Sequence, residues 1–587
     1  MLNTHHFTPP RLVILAIGCV IAVTGMRCAP RSDTQGADAS ASVQAADLVL
    51  RGGAIYTVDA KRSWARAIAV RNGKIAYVGS DEGVKSHIGS GTKVINLEDR
   101  MVLPGFQDIH IHPIYGGLQA LSCDLSALET QEQYVEAVAA YAAKHPDKPW
   151  ILGGGWSMSA FQPGGITDRQ LLDAVVPDRP VLLTSADGHT SWVNSKALEI
   201  AGITRDTPDP AGGRIDRDPA TGEAIGSLQE FAGDLVREHA PPYTLEATVK
   251  GLKYALDMVN RYGITAFQDA GVDMEGLQGL DAYRQLDESG ELTARVVASL
   301  WWDKSTGEEQ VSALLEKRER YTKGRLSATT VKIMQDGVME NQTAALLEPY
   351  VGKPGVTGFP MVDPQKLKQY VTRLDDEGFQ IHFHAIGDGA IRQSLDAIEA
   401  ARKKNGNRGN RHHISHIQLF HPADIPRFRE LDVVANFQPL WALADEYITD
   451  MTIPFLGPER SRWLYPIGSL VASGAVVAFG SDWSVSTANP LEEIEVALTR
   501  MGPNGETKEP LLPEERIDLP TALAAFTINA AYVNSLEKET GSIEVGKFAD
   551  LIVLDRNLFT IEPSEISESK VLLTLLEGEP MYGNLSL

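Results

Sequence analysis

The chain has 587 residues, of which 43% are hydrophobic and 22% are charged, a composition typical of globular proteins. Its 54 basic residues against 77 acidic residues give a formal net charge of −23. This acidity argues against a nucleic-acid partner and against anionic bilayers, because both require a basic surface. Only three cysteines are present, and two of them precede the predicted folded body. A disulfide framework and a cysteine-based zinc site are therefore excluded.

The first 28 residues have the pattern of an export signal. Residues 12–26 are apolar and uncharged, and they are too short to span a bilayer comfortably. Cys28 follows, and the small polar residues of 29–45 predict a flexible linker. Three alternatives stay open: lipidation of Cys28, cleavage at Ala39–Ala41, and an uncleaved signal anchor. All three predict an exported protein that is periplasmic or anchored by its N-terminus to the outer face of a membrane.

Both ends of the folded body are predicted to be β-structure. Segment 46–104 contains short β-branched runs separated by turn residues, which predict antiparallel strands. Asn72 and Gly73 lie between two such runs and form the strongest short hairpin signal. Segment 541–587 has the same pattern, so we predict one β-sandwich domain assembled from both termini.

Segment 105–540 alternates apolar strands with amphipathic helices, for example over 363–378 and 389–405. Alternating β and α units predict a parallel sheet, and the number of units favours a closed α/β barrel. The Pro- and Gly-rich region of about 123–243 does not follow this alternation. We interpret it as an insertion built over the mouth of the barrel.

The first candidate site residues end a predicted strand. In the sequence FQDIHIH, the side-chain period of two places Asp108, His110 and His112 on one face. Two imidazoles at positions i and i+2 can bind one metal ion. Such a pair also occurs in protein cores, but the end of a barrel strand is where catalytic side chains are delivered.

A lysine in a second predicted strand also needs an explanation. Lys332 lies in TTVKIMQDG, where a buried unpaired ammonium would cost several kcal/mol. One alternative is an ion pair with Asp336. The other is a carbamate formed with carbon dioxide, which could bridge two metal ions.

Histidines occur in two further predicted strands. His384 is favoured over His382 as a metal ligand because it lies closer to the end of its strand. His416 is favoured over His412 and His413, which are expected at a solvated strand entrance. In each case the other histidines are interpreted as structural.

Asp482 follows a strongly apolar strand in VVAFGSDW. Taken alone, it could equally form an Asx-turn that begins the next helix. It is, however, much less probable that five predicted strands each place a metal-type donor at the same mouth by chance than that one strand does so. The sequence therefore predicts a metal centre at the barrel mouth.

The ordered motifs FQDIHIHP, VKIMQDG, HFHAIGD, ISHIQ and FGSDW resemble the amidohydrolase superfamily, and specifically its N-substituted formamide deformylase-like branch. The resemblance extends to DGHTSWVNSKAL at 187–198, to GSLQE at 226–230 and to TGSIEVGKFADLIVLD at 540–555. It covers nearly everything from Asp47 onward.

The resemblance implies a distorted (β/α)8 TIM barrel beside the β-sandwich, with one or two divalent metal ions, zinc being the first expectation. His110 and His112 would bind the first metal, and His384 and His416 the second. A carboxylated Lys332 would bridge the two ions.

Asp482 would complete the first metal's ligands and act as general base. In this hypothesis metal-bound hydroxide attacks an amide carbonyl, and Asp482 takes the proton and returns it to the leaving nitrogen. The predicted function is hydrolysis of non-peptide C–N bonds (EC 3.5) in N-acyl or N-formyl small molecules, by a homodimer. The alternatives are an ester or lactone hydrolase, a non-catalytic ligand-binding protein that retains the fold, and a sugar-binding protein that uses exposed tryptophans.

Six further residues are candidates for contact with substrate, and each has a structural alternative: Trp156, His189, Asn194, Glu230, Asp336 and Trp483. His189 and Asn194 come from the motif at 187–198. Ser157 follows the Gly-Trp pair where the branch often has an acidic or amide residue, which weakens any inherited substrate assignment. One of the adjacent Trp301 and Trp302 is expected in the core, because neighbouring strand residues face opposite ways.

Overall fold

The computed structural model describes residues 44–161 and 164–586 of the protein. The predicted export signal, Cys28 and all but the end of the predicted linker lie outside these residues. Within the described ranges, no helix is both long enough and apolar enough to cross a membrane.

Strands from both ends of the described chain join in one mixed sheet. The N-terminal strands are β1 (Leu48–Tyr56), β2 (Trp64–Arg71), β3 (Lys74–Gly79), β4 (Lys93–Asn96) and β5 (Met101–Pro104). The C-terminal strands are β20 (Leu551–Leu554), β21 (Val571–Leu576) and β22 (Glu579–Tyr582). They hydrogen-bond in the order β22-β21-β20-β5-β1-β2-β3, and β4 also pairs with β1. The sheet therefore forks at β1, where β4 and β5 share one edge.

The predicted hairpin is present, but two strands run in a direction that the prediction missed. Asn72 and Gly73 join β2 to β3 with φ angles of 52° and 74°, as a tight two-residue hairpin turn requires. β4 and β5 are parallel to β1, so the prediction of uniformly antiparallel strands is wrong there. The reason is that the chain crosses from β3 to the opposite edge of β1 before it continues in the same direction.

Eight parallel strands form the predicted barrel and confirm the (β/α)8 fold. They are β6 (Phe106–Ile111), β13 (Ile264–Asp269), β14 (Arg295–Trp301), β15 (Leu326–Met334), β16 (Gln380–Ala385), β17 (His413–His416), β18 (Val434–Phe437) and β19 (Val477–Phe479). Each pairs with its neighbour in this order. The segment after β19 returns to β6, where the backbone N–H of Asp482 donates to the carbonyl of His110 at 2.6 Å. The barrel is thereby nearly closed.

The helices outside the insertion lie in the segments that connect the barrel strands to one another and to the C-terminal strands. They are α1 (Pro113–Ala120), α6 (Leu245–Arg261), α7 (Gly279–Ser289), α8 (Val311–Tyr321), α9 (Pro364–Asp376), α10 (Asp388–Asn405), α11 (Ile425–Glu430), α12 (Glu446–Thr449), α13 (Ile453–Leu456), α14 (Pro458–Ser461), α15 (Ile467–Ser473), α16 (Pro490–Thr499), α17 (Leu519–Ala525) and α18 (Ile528–Val533). In α9, Asp363 caps the first turn, and Leu367, Val371 and Leu374 form the buried face. This spacing is that of an amphipathic helix.

The predicted insertion contains a sheet of its own. Its six strands are β7 (Cys123–Asp124), β8 (Ile151–Trp156), β9 (Val181–Ser185), β10 (Thr190–Val193), β11 (Gly213–Arg217) and β12 (Ala224–Glu230), in the order β11-β12-β10-β9-β8-β7. The helices α2 (Gln131–Lys144), α3 (Arg169–Asp173), α4 (Ser195–Ile200) and α5 (Asp234–Arg237) accompany it. The turn between β9 and β10 and the end of β12 face the barrel mouth, where they contribute residues to a cavity.

The crossing of α1 over α6 generates a prediction about stability. A Cβ atom at Gly117 would lie 2.0 Å from the carbonyl oxygen of Gly251, so Gly117→Ala forces the two helices apart. Overpacking of this kind costs about 1–3 kcal/mol. We expect chemical denaturation to show a loss of this size in the free energy of unfolding.

The control for this variant is Gly91→Ala, because a Cβ at Gly91 would meet nothing within 4 Å. Equal effects of the two substitutions on the free energy of unfolding would contradict the close helix crossing.

Candidate metal centre

The barrel mouth holds a cavity of about 430 Å³. All six side chains that the sequence predicted as metal ligands line it: His110, His112, Lys332, His384, His416 and Asp482. They come from β6, β15, β16, β17 and the segment after β19, so the structure brings together donors that lie far apart in the chain.

Asp482 lies at the centre of this group. Its Oδ1 is 3.1 Å from Nε2 of His112 and 3.4 Å from Nε2 of His110. Its Oδ2 is 3.8 Å from Nδ1 of His416. One ligand atom each from His110, His416 and Asp482 lie within 4.8 Å of one another, which is close enough for one ion to bind all three.

The protonation of these residues also fits a divalent cation. Burial lowers the pKa of His110, His384 and His416 well below 6.5, so their imidazoles are neutral and keep the lone pair that a metal needs. Oδ1 of Asp482 is buried and makes no hydrogen bond to another described residue. Buried polar atoms are normally satisfied, and imidazole with carboxylate is a common donor set for divalent transition metals.

Lys332 is buried among the histidines. Its Nζ lies 3.2 Å from Nε2 of His110, and burial lowers its pKa to about 7 although the charge of Asp482 acts in the opposite direction. The alternative ion pair with Asp336 is not formed. The Asp336 carboxylate instead lies 3.3 Å from Nδ1 of His384 and accepts the backbone N–H groups of Ala345, Ile386 and Gly387.

Buried polar groups beneath the cavity fix two of the imidazoles. Nε2 of His382 lies 3.0 Å from Nδ1 of His110 and 2.8 Å from Oγ of Ser415. Oε1 of Gln438 lies 2.8 Å from Nδ1 of His416. Partners of this kind orient metal-binding histidines. His382 therefore lies below the cavity, as expected from its position in the strand.

Three cavity residues have left-handed backbone conformations. The φ angles are 51° at Glu230, 78° at His416 and 55° at Asp482. Residues other than glycine rarely adopt this region, and such strain is concentrated at functional sites. In these three residues the left-handed conformation changes the direction of the backbone where the strand, or the segment that extends it, ends.

The insertion contributes a pair of oppositely charged residues, His189 and Glu230. The Nδ1–H of His189 donates to Oε2 of Glu230 at 2.7 Å. Burial lowers the pKa of His189, but the Glu230 carboxylate raises it, and the net value is about 9. For Glu230 the sequence left open a contact with substrate and a structural role. The structure shows the ion pair, and its two residues both line the cavity.

Two other predictions on the insertion are wrong. Trp156 is completely buried against Phe161 and Trp192 in the core of the insertion. Asn194 is also completely buried, and its side chain caps the first turn of α4. Neither side chain can contact a substrate, because each points into the packed interior of the insertion.

Predictions for Trp483 and Asp336 also need correction. Trp483 is not among the residues that line the cavity, and its ring packs against α1, where a Cβ at Gly116 would meet it at 2.7 Å. Asp336 is fully buried below His384, so it supports a histidine and does not contact substrate. The neighbours Ser484 and Val485 line the cavity instead.

His412 and His413 do not lie at a solvated entrance, because both are fully buried. Nε2 of His412 is 3.0 Å from Oδ1 of Asp375, and the ring of His413 is 4.1 Å from that of His382. Asp375 lies in α9, far from His412 in the chain. The sequence around His412 therefore gives no indication of this partner.

Several residues of the cavity wall were missed by sequence reasoning: Tyr115, Asp187, Phe231, Arg237, Met274 and Trp301. Most lie in loops or in the insertion, where no periodic pattern shows direction. Trp301 ends β14, and Trp302 beside it is 3% exposed in the core. The alternation of strand residues thus predicted one core tryptophan correctly and could have assigned the other to the mouth.

Comparison with known proteins identifies the family. The model of the amidohydrolase family (Amidohydro_3) matches residues 93–582. Protein LONG AFTER FAR-RED 3 of Arabidopsis thaliana is 34% identical, with 92% of each chain covered. N-substituted formamide deformylase of Arthrobacter pascens is 26% identical, covering 92% of this chain and 99% of the relative.

A solved structure shares the fold. A metal-dependent hydrolase from Pyrococcus horikoshii superposes with a TM-score of 0.69 and 24% identity, over 88% of this chain and 99% of that one. The family match and the barrel fold define a hydrolase, with a candidate metal-binding group at the barrel mouth. The chain belongs to the amidohydrolase family.

The distances at the centre predict the effect of removing one donor. His416→Ala takes away an atom of the three-residue group, so we expect the purified variant to retain much less metal per chain than the wild type. Elemental analysis measures this directly. His239→Ala is the control, since His239 is exposed and outside the cavity. Equal metal contents in the two variants would contradict a metal centre at His416.

Proposed function

We propose that the protein is a hydrolase of C–N bonds in N-acyl or N-formyl small molecules, with one or two divalent ions, zinc first among them, at the barrel mouth. The observation that carries the proposal is the convergence of Asp482 with His110, His112 and His416 in one cavity. Membership of the amidohydrolase family supports the same reaction class.

His110, His112 and Asp482 would hold one ion, and His384 and His416 a second. When bound, such an ion lowers the pKa of water from 15.7 to about 7 and polarises a carbonyl oxygen. Side chains of the protein carry out every other step. The neutral imidazoles supply lone pairs, and the floor of buried polar groups keeps them oriented.

Asp482 moves the proton in this reaction. Its Oδ1 is buried without a hydrogen-bond partner among the described residues, so it can accept the proton of the attacking water. The water oxygen adds to the acyl carbon, and the C–N bond then breaks. Asp482 returns the proton to the leaving nitrogen, because an amine anion is a poor leaving group. The products are a carboxylic acid and an amine.

Lys332 is proposed to carry a carbamate. A neutral Nζ attacks the carbon of carbon dioxide, forms an N–C bond and releases one proton. The resulting carbamate anion would offer oxygen atoms as metal ligands. Three observations support this: the side chain lines the cavity, it is 1% exposed, and it lies against His110 and not against a carboxylate. The modification would add a second negative charge beside Asp482, which would help to balance a second divalent ion.

Asp482→Asn tests the proton transfer. The amide cannot accept the proton, so we expect kcat on an N-formyl anilide to fall about 10²- to 10⁴-fold. Asp206→Asn, at an exposed position, is the control and should behave as wild type. Metal content is measured in parallel, and wild-type turnover in an Asp482→Asn enzyme that keeps its metal would exclude this role.

Lys332→Ala tests the carbamate. We expect about two metal equivalents per wild-type chain and a sharp fall in the variant, measured by elemental analysis. Incubation of the wild type with ¹³C-bicarbonate should also give a carbamate carbon signal that Lys332→Ala lacks.

Lys196→Ala provides the matched control, because Lys196 lies near the surface and pairs with Glu199. About one equivalent in all three proteins, with no carbamate signal, would show that Lys332 is structural and that the centre is mononuclear.

A further inference from the structure

The His189–Glu230 pair remains unused by the proposed reaction, although it lines the same cavity as Asp482. It is an ion pair brought to the barrel mouth by the insertion. A hydrolase that moves protons only through Asp482 has no need of a second buried charge pair here. Its geometry therefore requires its own explanation.

The histidine is fixed from several directions. Asp187 Oδ1 accepts the backbone N–H of His189 at 3.0 Å, and the carbonyl of His189 accepts the N–H of Glu230 at 2.7 Å. Gly188, with φ of 80°, makes the turn between β9 and β10 possible. Both the backbone and the Nδ1 edge of the ring are therefore held in place.

Glu230 is held just as firmly. Its Oε1 accepts hydrogen bonds from the Thr343 hydroxyl and, at 3.4 Å, from the Asn341 amide. Both donors lie in the loop after β15, the strand that carries Lys332. The pair thus connects the insertion to the barrel.

Within the described part of the chain, Nδ1 of the imidazole forms a hydrogen bond and Nε2 forms none. Nδ1 is bound to Glu230, while the His189 side chain is 13% exposed and lines the cavity. Its ring lies 5.4 Å from that of His384, a candidate metal ligand. The Arg237 guanidinium, another donor on the wall, gives a hydrogen bond to Thr184 at 3.1 Å within the insertion.

We propose that Nε2–H of His189 donates a hydrogen bond to the acyl oxygen of the substrate, where negative charge develops during attack, and that Glu230 is the positioning residue. This assignment rests on the proposed function and deepens it. A donor that is oriented before the reaction stabilises developing charge without reorganisation. Because Nδ1 is bound to the Glu230 carboxylate at 2.7 Å, Nε2 is the ring nitrogen left to meet a substrate in the cavity.

The test compares formanilide with thioformanilide as probes. Sulfur accepts hydrogen bonds weakly, so a donor to the acyl atom helps the oxygen substrate far more than the sulfur substrate. His189→Ala is expected to lower kcat on formanilide about 10²- to 10³-fold, with little change in KM, and to lower thioformanilide turnover much less. The ratio of the two kcat/KM values should fall accordingly.

Four further variants make the result specific. His189→Gln retains an amide N–H and should recover part of the ratio. Glu230→Gln should lower the ratio less than His189→Ala, and the double variant should be no worse than His189→Ala, because the two residues act as one unit. His239→Ala, at an exposed position on the insertion, should match the wild type.

The outcomes separate the two proposals. A wild type that hydrolyses neither probe would overturn the proposed function and this assignment together. An active wild type whose His189→Ala variant loses both probes equally, or neither, would overturn the assignment alone. Thermal unfolding shows whether His189→Ala is folded. If His189→Ala is not folded, His189→Gln is measured in its place. Equal losses of kcat/KM on the two probes in His189→Gln would overturn the assignment.

Discussion

The contact between the end of β6 and the segment after β19 determines the rest of the site. The N–H of Asp482 donates to the carbonyl of His110 at 2.6 Å, and the N–H of His112 donates to the carbonyl of Trp483 at 2.7 Å. These bonds close the barrel and at the same time place one carboxylate between two imidazoles. Gly480 is essential to the approach, since a Cβ there would lie 2.5 Å from the backbone nitrogen of His110. The hydrogen bonds that bring the two edges of the barrel together therefore also assemble the site.

The electrostatics of the mouth explain why a cation belongs there. Burial keeps His110, His384 and His416 neutral and lowers the pKa of Lys332 to about 7. Asp482 is thus surrounded by groups that offer lone pairs but little fixed positive charge. Removing an ionised carboxylate from water is costly unless it is paired, and a divalent ion bound beside Asp482 would supply the opposite charge. The His189–Glu230 pair is neutral as a whole, so it adds a donor without competing for that ion.

The sequence predicted the barrel and its donors because strand periodicity and strand order are local, repeated signals. A residue at the C-terminal end of a parallel strand faces the mouth whatever the loops do, and this rule located Lys332, His384 and Asp482. It failed in the insertion, where the DGHTSWVNSKAL motif shows which residues are present but not where each side chain points. Asn194 in that motif caps α4, whereas His189, five residues earlier, faces the cavity. His412 was misplaced for a related reason, because its partner Asp375 is distant in sequence.

The barrel and the insertion contribute different parts of the site. Barrel strands are rigid and carry the groups that must keep fixed distances, whereas the wall of the cavity comes largely from the insertion. The hydrogen bond from Thr343 to Glu230 joins the loop after β15 to the end of β12, so it links the wall to the strand that holds Lys332. The turn between β9 and β10 carries His189, so a change there would alter both the cavity wall and the proposed donor to the acyl oxygen. The candidate metal ligands on the barrel strands would stay in place.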